Sequence, residues 1–150
     1  MDKLDRKLLN LLQRDASKTN VELADDVGLS PSSCLRRVRR LRTSGVISRI
    51  VAILNPAKTG RVLKALVTVE LKLHGEQHMR RFLDLARAEA AVAQAYSVTG
   101  EADVAMFLHL HDMGEYEALC DRLFKEQTNV ARYVTMMVIR TAKEETAIQL

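Results

Sequence analysis

Two consecutive helix starts, with one short glycine-terminated helix between them, constrain the fold of this chain more than any other feature. The first start is Thr19-Asn-Val-Glu22, a capping box in which the Thr hydroxyl accepts a backbone N–H three residues on and the glutamate reaches back. Gly28 then supplies a left-handed helix end. Ser30-Pro31 begins the next helix with an N-cap and a proline at its first position. Two short helices joined by so tight a turn predict a helix-turn-helix.

Apolar residues at helical spacing divide the first part of the chain into three helices. Their inward-facing residues are Leu4, Leu8, Leu11 and Leu12; Leu23, Ala24 and Val27; and Leu35, Val38 and Leu41. We expect the first helix to end near Asp15 and the third to end by Gly45. Residues 46–54 have the pattern of an extended segment, suited to a β-arm or wing that carries Arg49.

The third helix lies in a stretch without acidic residues, because no Asp or Glu occurs between Asp26 and Glu70. The basic residues of this stretch are Arg36, Arg37, Arg39, Arg40, Arg42, Arg49, Lys58, Arg61 and Lys64. The side chains that project away from the apolar stripe are Ser32, Ser33, Arg36, Arg37 and Arg40. This is the layout of a recognition helix, which offers small polar groups to base edges and arginines to guanines and phosphates. A merely solvated basic helix is disfavoured, because we expect no acid nearby to neutralise the arginines.

Charge and composition favour two modules with different partners. The 150 residues are 47% apolar with a formal net charge of +4, as expected for a globular protein. The charge is uneven, with +6 over residues 1–60 and −2 over residues 61–150, and we predict the domain boundary there. Cys34 and Cys120 fit reduced thiols, and neither a signal peptide nor a membrane span is visible. We therefore expect a cytoplasmic protein, which DNA binding by the third helix would associate with the nucleoid.

The second module alternates between strand and helix periodicity. Strands are predicted at residues 64–73, 92–99, 104–111 and 130–141, and helices at residues 76–89 and 113–126. The order βαββαβ predicts a ferredoxin-like α+β domain, with one antiparallel sheet and two helices on one face. The last two strands are apolar on both sides, as Met106 and Phe107 illustrate. Because two helices cover only one face, we expect a second subunit to cover the other in a homodimer, which would also pair two DNA-binding modules.

Together these residues resemble the Lrp/AsnC family of bacterial and archaeal transcription regulators. The matching stretches are Leu4-Asp-Arg-Lys-Leu-Leu-Asn-Leu-Leu, Glu22-Leu-Ala, Val27-Gly-Leu-Ser-Pro-Ser-Ser-Cys-Leu-Arg-Arg-Val, Leu41 with Gly45-Val-Ile, Leu54-Asn-Pro, and Val98-Thr-Gly-Glu-Ala-Asp103. The resemblance spans the whole chain and implies a winged helix-turn-helix followed by a RAM-type βαββαβ sensing domain. It also implies double-stranded DNA as a partner, homodimers assembled into octamers or other rings, and a small effector, most often an amino acid, bound between subunits.

The resemblance assigns candidate residues to both sites. The DNA-facing set is Ser32, Ser33, Cys34, Arg36, Arg37 and Arg40, to which we add Ser30 and Arg49. The effector-facing set is Thr99, Gly100, Glu101, Ala102 and Asp103, with Thr135 of the last strand facing it across an interface. Physically, backbone N–H groups near a glycine suit a carboxylate, and an acidic side chain suits an α-ammonium. An acidic hairpin turn without a ligand is the alternative. Arg42, Asp25 and Asp26 depart from the family pattern, which makes the DNA preference hard to infer from relatives.

Other chemistry finds little support in the sequence. The pairs His109 with His111 and His74 with His78 have no third ligand placed beside them, so we expect no metal site. No Walker loop, nucleophile elbow or HExxH pattern occurs, so we expect neither an enzyme nor a cofactor beyond the small effector. The remaining alternatives are an effector-independent architectural nucleic-acid-binding protein, and an RNA-binding or chromatin-like protein that uses the basic helix electrostatically.

Overall fold

The computed structural model describes residues 1–125 and 129–150 and divides into two compact units. The first unit comprises Met1–Ile53 and Ala142–Leu150, and the second comprises Leu54–Thr141. The boundary predicted after residue 60 therefore differs in two places. The end of the linker belongs to the second unit, and the C-terminal tail belongs to the first. The Gln13 amide holds this tail, since it donates to the Ile148 carbonyl at 2.9 Å and accepts from the Ile148 N–H at 2.6 Å.

The first unit contains the predicted three helices. They are α1 (Lys3–Arg14), α2 (Asn20–Val27) and α3 (Pro31–Thr43). The Thr19/Glu22 capping box is present, Gly28 adopts the left-handed conformation with φ 71°, and the Ser30 hydroxyl accepts the Ser33 N–H. These local interactions confirm the helix-turn-helix. A second capping box, formed by Asp2 and Asp5, begins α1 and was not expected from the sequence.

The core of the first unit corrects the phase of α3. The buried residues of this helix are Cys34, Val38 and Leu41, whereas Leu35 is only partly buried. Cys34 packs in a cluster that includes Leu8, Leu23, Ala24 and Val27. The predicted stripe contains Leu35 where the buried stripe contains Cys34, and both include Val38 and Leu41. Packing against α1 and α2 selects the stripe with the small Cys34 thiol.

The segment expected to form a wing has no strand partner. Residues 46–54 join no β-ladder within the described part of the chain. The Ile47 N–H donates to the Leu41 carbonyl at 3.0 Å, which continues the end of α3. The apolar side chains of Val51, Ile53 and Leu54 are exposed. A strand needs a neighbour that satisfies its backbone groups, and the alternating sequence of this segment does not supply one.

The second unit has the predicted βαββαβ order. Its elements are β1 (Leu63–Leu71), α4 (Glu76–Ala88), β2 (Val92–Ser97), β3 (Val104–Leu110), α5 (Met113–Cys120) with a π-helical extension (Asp121–Lys125), and β4 (Val130–Met137). The sheet order is β2-β3-β1-β4, with every neighbouring pair antiparallel. This confirms the ferredoxin-like fold. The strands end earlier than predicted, and the predicted end of the second helix at residue 126 lies outside the described residues.

The two faces of the sheet differ in cover. Val67 pairs with Met106 on one side and with Thr135 on the other, so these three residues share the face packed against α4 and α5. On the opposite face lie Tyr96, Phe107, Val134 and Met136, all of them exposed. Nothing in the described residues of this unit covers that apolar face. Among the same residues, no helix is long and apolar enough to cross a membrane.

Candidate functional site

The side of α3 farthest from the core carries an exposed stripe of polar and basic residues. Its members, at helical spacing, are Ser32, Arg36, Arg39 and Thr43, and all four are exposed. Within the described chain, no carboxylate lies within ion-pair distance of Arg36 or Arg39. Arg39 belongs to the acid-free basic stretch but is not among the predicted site residues. The spacing 32, 36, 39 and 43 opposite Cys34 and Val38 is the signal that would have identified it.

One flank of the same helix is bound to two acids at the N-terminal end of α1. Arg37 Nη1 donates to Asp2 Oδ2 at 2.5 Å and to Asp5 Oδ1 at 2.9 Å. Arg40 Nη2 donates to both oxygens of Asp5, at 2.8 and 2.7 Å. The expectation that no acid lies near these arginines is therefore wrong. The neutralising carboxylates come from the start of the chain, which folds back beside α3.

Asp5 is the centre of this anchored flank, formed by Asp2, Asp5, Arg37 and Arg40. It is buried, with 1% of its surface exposed. Burial by itself raises the pKa of the Asp5 carboxyl, but the Asp2 backbone N–H and the neighbouring arginines outweigh burial and bring the pKa below its ordinary value. The pKa of Arg37 is raised in turn, by its hydrogen bonds to Asp2 and Asp5. Asp5 and Arg37 are therefore charged throughout the physiological pH range.

The remaining predicted DNA-facing residues fall into different environments. Cys34 is fully buried, and burial raises the pKa of its thiol. Its assignment to the DNA-facing set is therefore corrected, because a core side chain cannot reach DNA and a thiol of raised pKa is a poor redox nucleophile. Ser30 is exposed and caps α3, and Ser33 is partly exposed beside it. Arg49 is exposed in the segment that has no strand partner.

The predicted effector residues 99–103 form the connection between β2 and β3, which we call the ligand loop. Asp103 holds this loop in place. Its N–H donates to the Val69 carbonyl at 2.9 Å, and its Oδ2 accepts the Leu71 N–H at 2.7 Å. Its Oδ1 lies 3.5 Å from His74 Nδ1. The Asp103 carboxylate is thus engaged with the end of β1, beside an irregularity in the strand register at Glu70/Leu71.

The tip of the ligand loop is open to solvent. Thr99, Gly100 and Glu101 are exposed, and Ala102 is partly buried. Gly100 has φ 123°, a conformation that other residues adopt only with strain. In the described structure, the backbone N–H groups of Gly100, Glu101 and Ala102 donate no hydrogen bond. An exposed acidic side chain therefore lies beside several free donors.

Thr135 lies on the helix-covered face of the edge strand β4. Its hydroxyl accepts the Tyr116 hydroxyl at 2.8 Å. Burial raises the pKa of Tyr116, and the hydrogen bond with Cys120 raises it further. No hydrogen bond among the described residues links Thr135 to the ligand loop. Residues 99–103 therefore form one continuous loop. Thr135 is not bonded to that loop and pairs with Tyr116.

Two of the histidines, His109 and His111, lie beside the end of the linker. Among the residues that the structure describes, no group of three or more His, Cys, Asp or Glu side chains is placed to hold a metal ion. His111 Nδ1 lies 2.9 Å from the Gly60 carbonyl. Arg61 Nη1 donates to the His109 carbonyl at 2.7 Å and to Glu115 Oε1 at 3.1 Å. These contacts attach the end of the linker to the second unit.

A helix-turn-helix with an exposed basic stripe, joined to an α+β domain with an open loop, defines a DNA-binding transcription regulator with a ligand-binding domain. Comparison with known proteins agrees. Residues 1–42 match the AsnC-type helix-turn-helix domain, and residues 64–148 match the Lrp/AsnC ligand binding domain. The chain belongs to the Lrp/AsnC family of transcriptional regulators, which are not enzymes.

Individual relatives resemble the whole chain. An uncharacterised HTH-type transcriptional regulator of Sinorhizobium fredii is 37% identical over 150 residues, which is 100% of this chain and 89% of the relative. A leucine-responsive regulatory protein of Rhizobium meliloti is 33% identical over 100% of this chain and 96% of its own length. The structure of a transcriptional regulator from Neisseria meningitidis in complex with L-Met superposes with a TM-score of 0.93 at 28% identity, covering 99% of this chain and 96% of the other.

Proposed function

We propose that this regulator binds specific DNA sequences through α3 and controls genes of amino-acid metabolism in response to an amino acid held at the ligand loop. The observation that carries the sensing part is the loop tip itself, where Glu101 lies beside the unpaired N–H groups of Gly100 and Ala102. A free amino acid carries one carboxylate and one ammonium group. The loop offers the complementary charge and donors within a few residues.

The DNA contacts follow from exposure on α3. Arg36 and Arg39 are exposed and unpaired within the described chain, so they suit phosphates or guanine edges. Ser30, Ser32 and Ser33 lie at the start of the helix, where a recognition helix approaches the bases. We keep Arg40 in the contact set as well, because its side chain is 58% exposed in spite of its ion pair. We propose that Arg37 supports the position of α3 and does not contact DNA itself. Arg49 remains a proposed phosphate contact.

The proposed assembly rests on the uncovered face of the sheet. Exposed large apolar side chains, including Phe107 and Met136, extend across β3 and β4. Water contact with so many apolar side chains is unfavourable, and the same face of a second copy is a self-complementary cover. We propose a homodimer through this face, and octamers or other rings of dimers as the larger particle. Such a particle would act at the nucleoid with several α3 helices available to DNA.

An effector can change regulation only through differential binding. If the amino acid binds between subunits, contacts from a neighbouring copy complete the site around the ligand loop. The ligand then favours the assembly in which those contacts are made, and the spacing of the DNA-binding units changes with it. Relatives support an amino acid as the ligand class, since one is named leucine-responsive and another was solved with L-Met.

A thermal-shift screen of the twenty amino acids tests the sensing proposal. Bound ligand raises the unfolding midpoint by mass action, so we expect a dose-dependent rise with one or a few amino acids. Glu101→Gln should abolish that rise while leaving the midpoint without ligand unchanged. Glu117→Gln, the same change at an exposed glutamate on α5, is the matched control and should keep the response. If no amino acid raises the midpoint, the protein is an effector-independent architectural regulator.

A further inference from the structure

We propose that Asp5 is a positioning residue for DNA recognition, which acts by holding Arg40 of α3 in the orientation that meets DNA. This inference rests on the proposed contact between α3 and DNA. Asp5 itself is almost completely buried in the first unit, so it cannot bind DNA directly. Its effect on recognition passes entirely through the arginine side chains.

The contacts of Asp5 leave its carboxylate no freedom to move. Oδ1 accepts from Arg37 Nη1 at 2.9 Å and from Arg40 Nη2 at 2.8 Å. Oδ2 accepts from Arg40 Nη2 at 2.7 Å and from the Asp2 backbone N–H at 3.0 Å. A carboxylate with partners on both oxygens, fixed in the first turn of α1, presents a defined direction to the arginines.

The two arginines that share Asp5 differ in what remains available. Arg37 has a side chain only 22% exposed and binds both Asp2 and Asp5 through Nη1. The Arg40 side chain is 58% exposed, and all its recorded bonds use Nη2. The other guanidinium nitrogens of Arg40 therefore donate to no group in the described part of the chain. Arg37 bridges the start of α1 and α3, whereas Arg40 is held through Nη2 and its other donors are free.

Such anchoring favours specific recognition over general attraction to phosphates. An arginine that is already oriented loses less side-chain entropy when its free donors form a directed hydrogen bond to a base edge. The negative charge of Asp5 meanwhile offsets part of the positive charge of this flank, so the attraction to any phosphate backbone is weaker. Arg36 and Arg39, on the exposed stripe, have no such restraint and suit the sequence-independent role.

Asp5→Asn separates these effects, because the amide keeps the shape and one acceptor but loses the charge. We would use the full chain and a duplex that the unaltered protein selects from a random-sequence library, with a scrambled duplex for comparison. Affinity for the selected duplex should fall roughly tenfold, the size of one lost base contact. Affinity for the scrambled duplex should stay equal or rise, and the slope of log K against log salt should steepen by about one phosphate equivalent.

Two controls keep a structural effect distinct. Asp25→Asn removes the same charge from an exposed position on α2 and should leave the ratio of the two affinities unchanged. Arg40→Ala should lower that ratio by itself, and adding Asp5→Asn to Arg40→Ala should lower it little further, because both changes act through one side chain.

The outcomes are decisive in each direction. Equal weakening on both duplexes, with a normal salt slope, would show that Asp5 only stabilises the fold and would overturn the inference. Additive losses in the double variant would overturn it as well, since Asp5 would then not act through Arg40. If the unaltered protein selects no sequence from the library, the proposed specific recognition fails first, which is a different result from an unchanged affinity ratio in the variant.

Discussion

The anchored flank of α3 and the ligand loop are built in the same way, although they belong to different units. In each, one acidic side chain binds other groups of the same unit, and nearby charged side chains remain exposed and able to bind a ligand. Asp5 binds two arginines of α3, and the exposed Arg36 and Arg39 lie on the adjacent stripe. Asp103 binds the end of β1, and the exposed Glu101 lies at the loop tip. The comparison shows that a charged residue within a site motif can serve to shape the site and not to contact the ligand.

The two anchors differ in how deeply they are buried, and this orders the expected effects. Asp5→Ala should have the largest effect, a loss of about 2–3 kcal/mol in the stability of the first unit, because it removes the buried acceptor of Arg37 and Arg40 and one of the two hydrogen bonds of the α1 capping box. Amide hydrogen exchange in α1 and α3 would measure it. Asp25→Ala on the exposed side of α2 is the control and should change protection little. Unaltered protection in Asp5→Ala would show that Asp5 is not an anchor.

Asp103→Ala should have a smaller effect, about 1–2 kcal/mol on the second unit. The carboxylate is only partly buried, so the variant loses one hydrogen bond to the Leu71 N–H and water can replace part of it. Exchange of the Leu71 amide should accelerate, and any amino-acid response of the midpoint should fall with it. Asp103→Asn retains an acceptor and should restore most of the protection. A slow Leu71 amide in Asp103→Ala would break the parallel between the two anchors.

Acid should weaken the Asp5 anchor, and this pH effect on stability should be the smallest of the three. The pKa of Asp5 lies below its ordinary value of 3.8 in the folded protein, because the Asp2 N–H and the arginines outweigh burial. A lowered folded-state pKa contributes stability above the unfolded value, and that stability is lost as the pH falls through the folded pKa. The stability of the first unit should therefore be constant near neutrality. The contribution of Asp5 to that stability should be lost below about pH 4. In Asp5→Asn this part of the loss should vanish, which acid titration of the two proteins would check.

The elements that the sequence predicted correctly depend on local interactions. The helix-turn-helix follows from Thr19, Gly28 and Ser30, each of which acts on backbone groups within a few positions. The βαββαβ order follows equally from short-range alternation along each strand. The ferredoxin-like topology then leaves few ways to arrange those elements.

The features that the sequence did not predict depend on contacts between distant residues. Asp5 meets Arg37 and Arg40 across 32 and 35 positions, and Asp103 meets Leu71 across 32. Cys34 and Leu35 fit the helical stripe almost equally, so only the packing of the three helices decides between them. A wing over residues 46–54 requires a neighbouring strand, which the pattern of the segment itself cannot reveal.

The most direct test of the division between supporting and contacting arginines compares Arg39→Ala with Arg37→Ala. Salt-dependent DNA affinity and the unfolding midpoint would be measured for both. We predict that Arg39→Ala keeps the midpoint, weakens binding to selected and scrambled duplexes alike, and reduces the salt slope by about one phosphate. Arg37→Ala should lower the midpoint and leave the salt slope nearly unchanged. The reverse pattern, with a lost phosphate contact in Arg37→Ala and none in Arg39→Ala, would contradict the account.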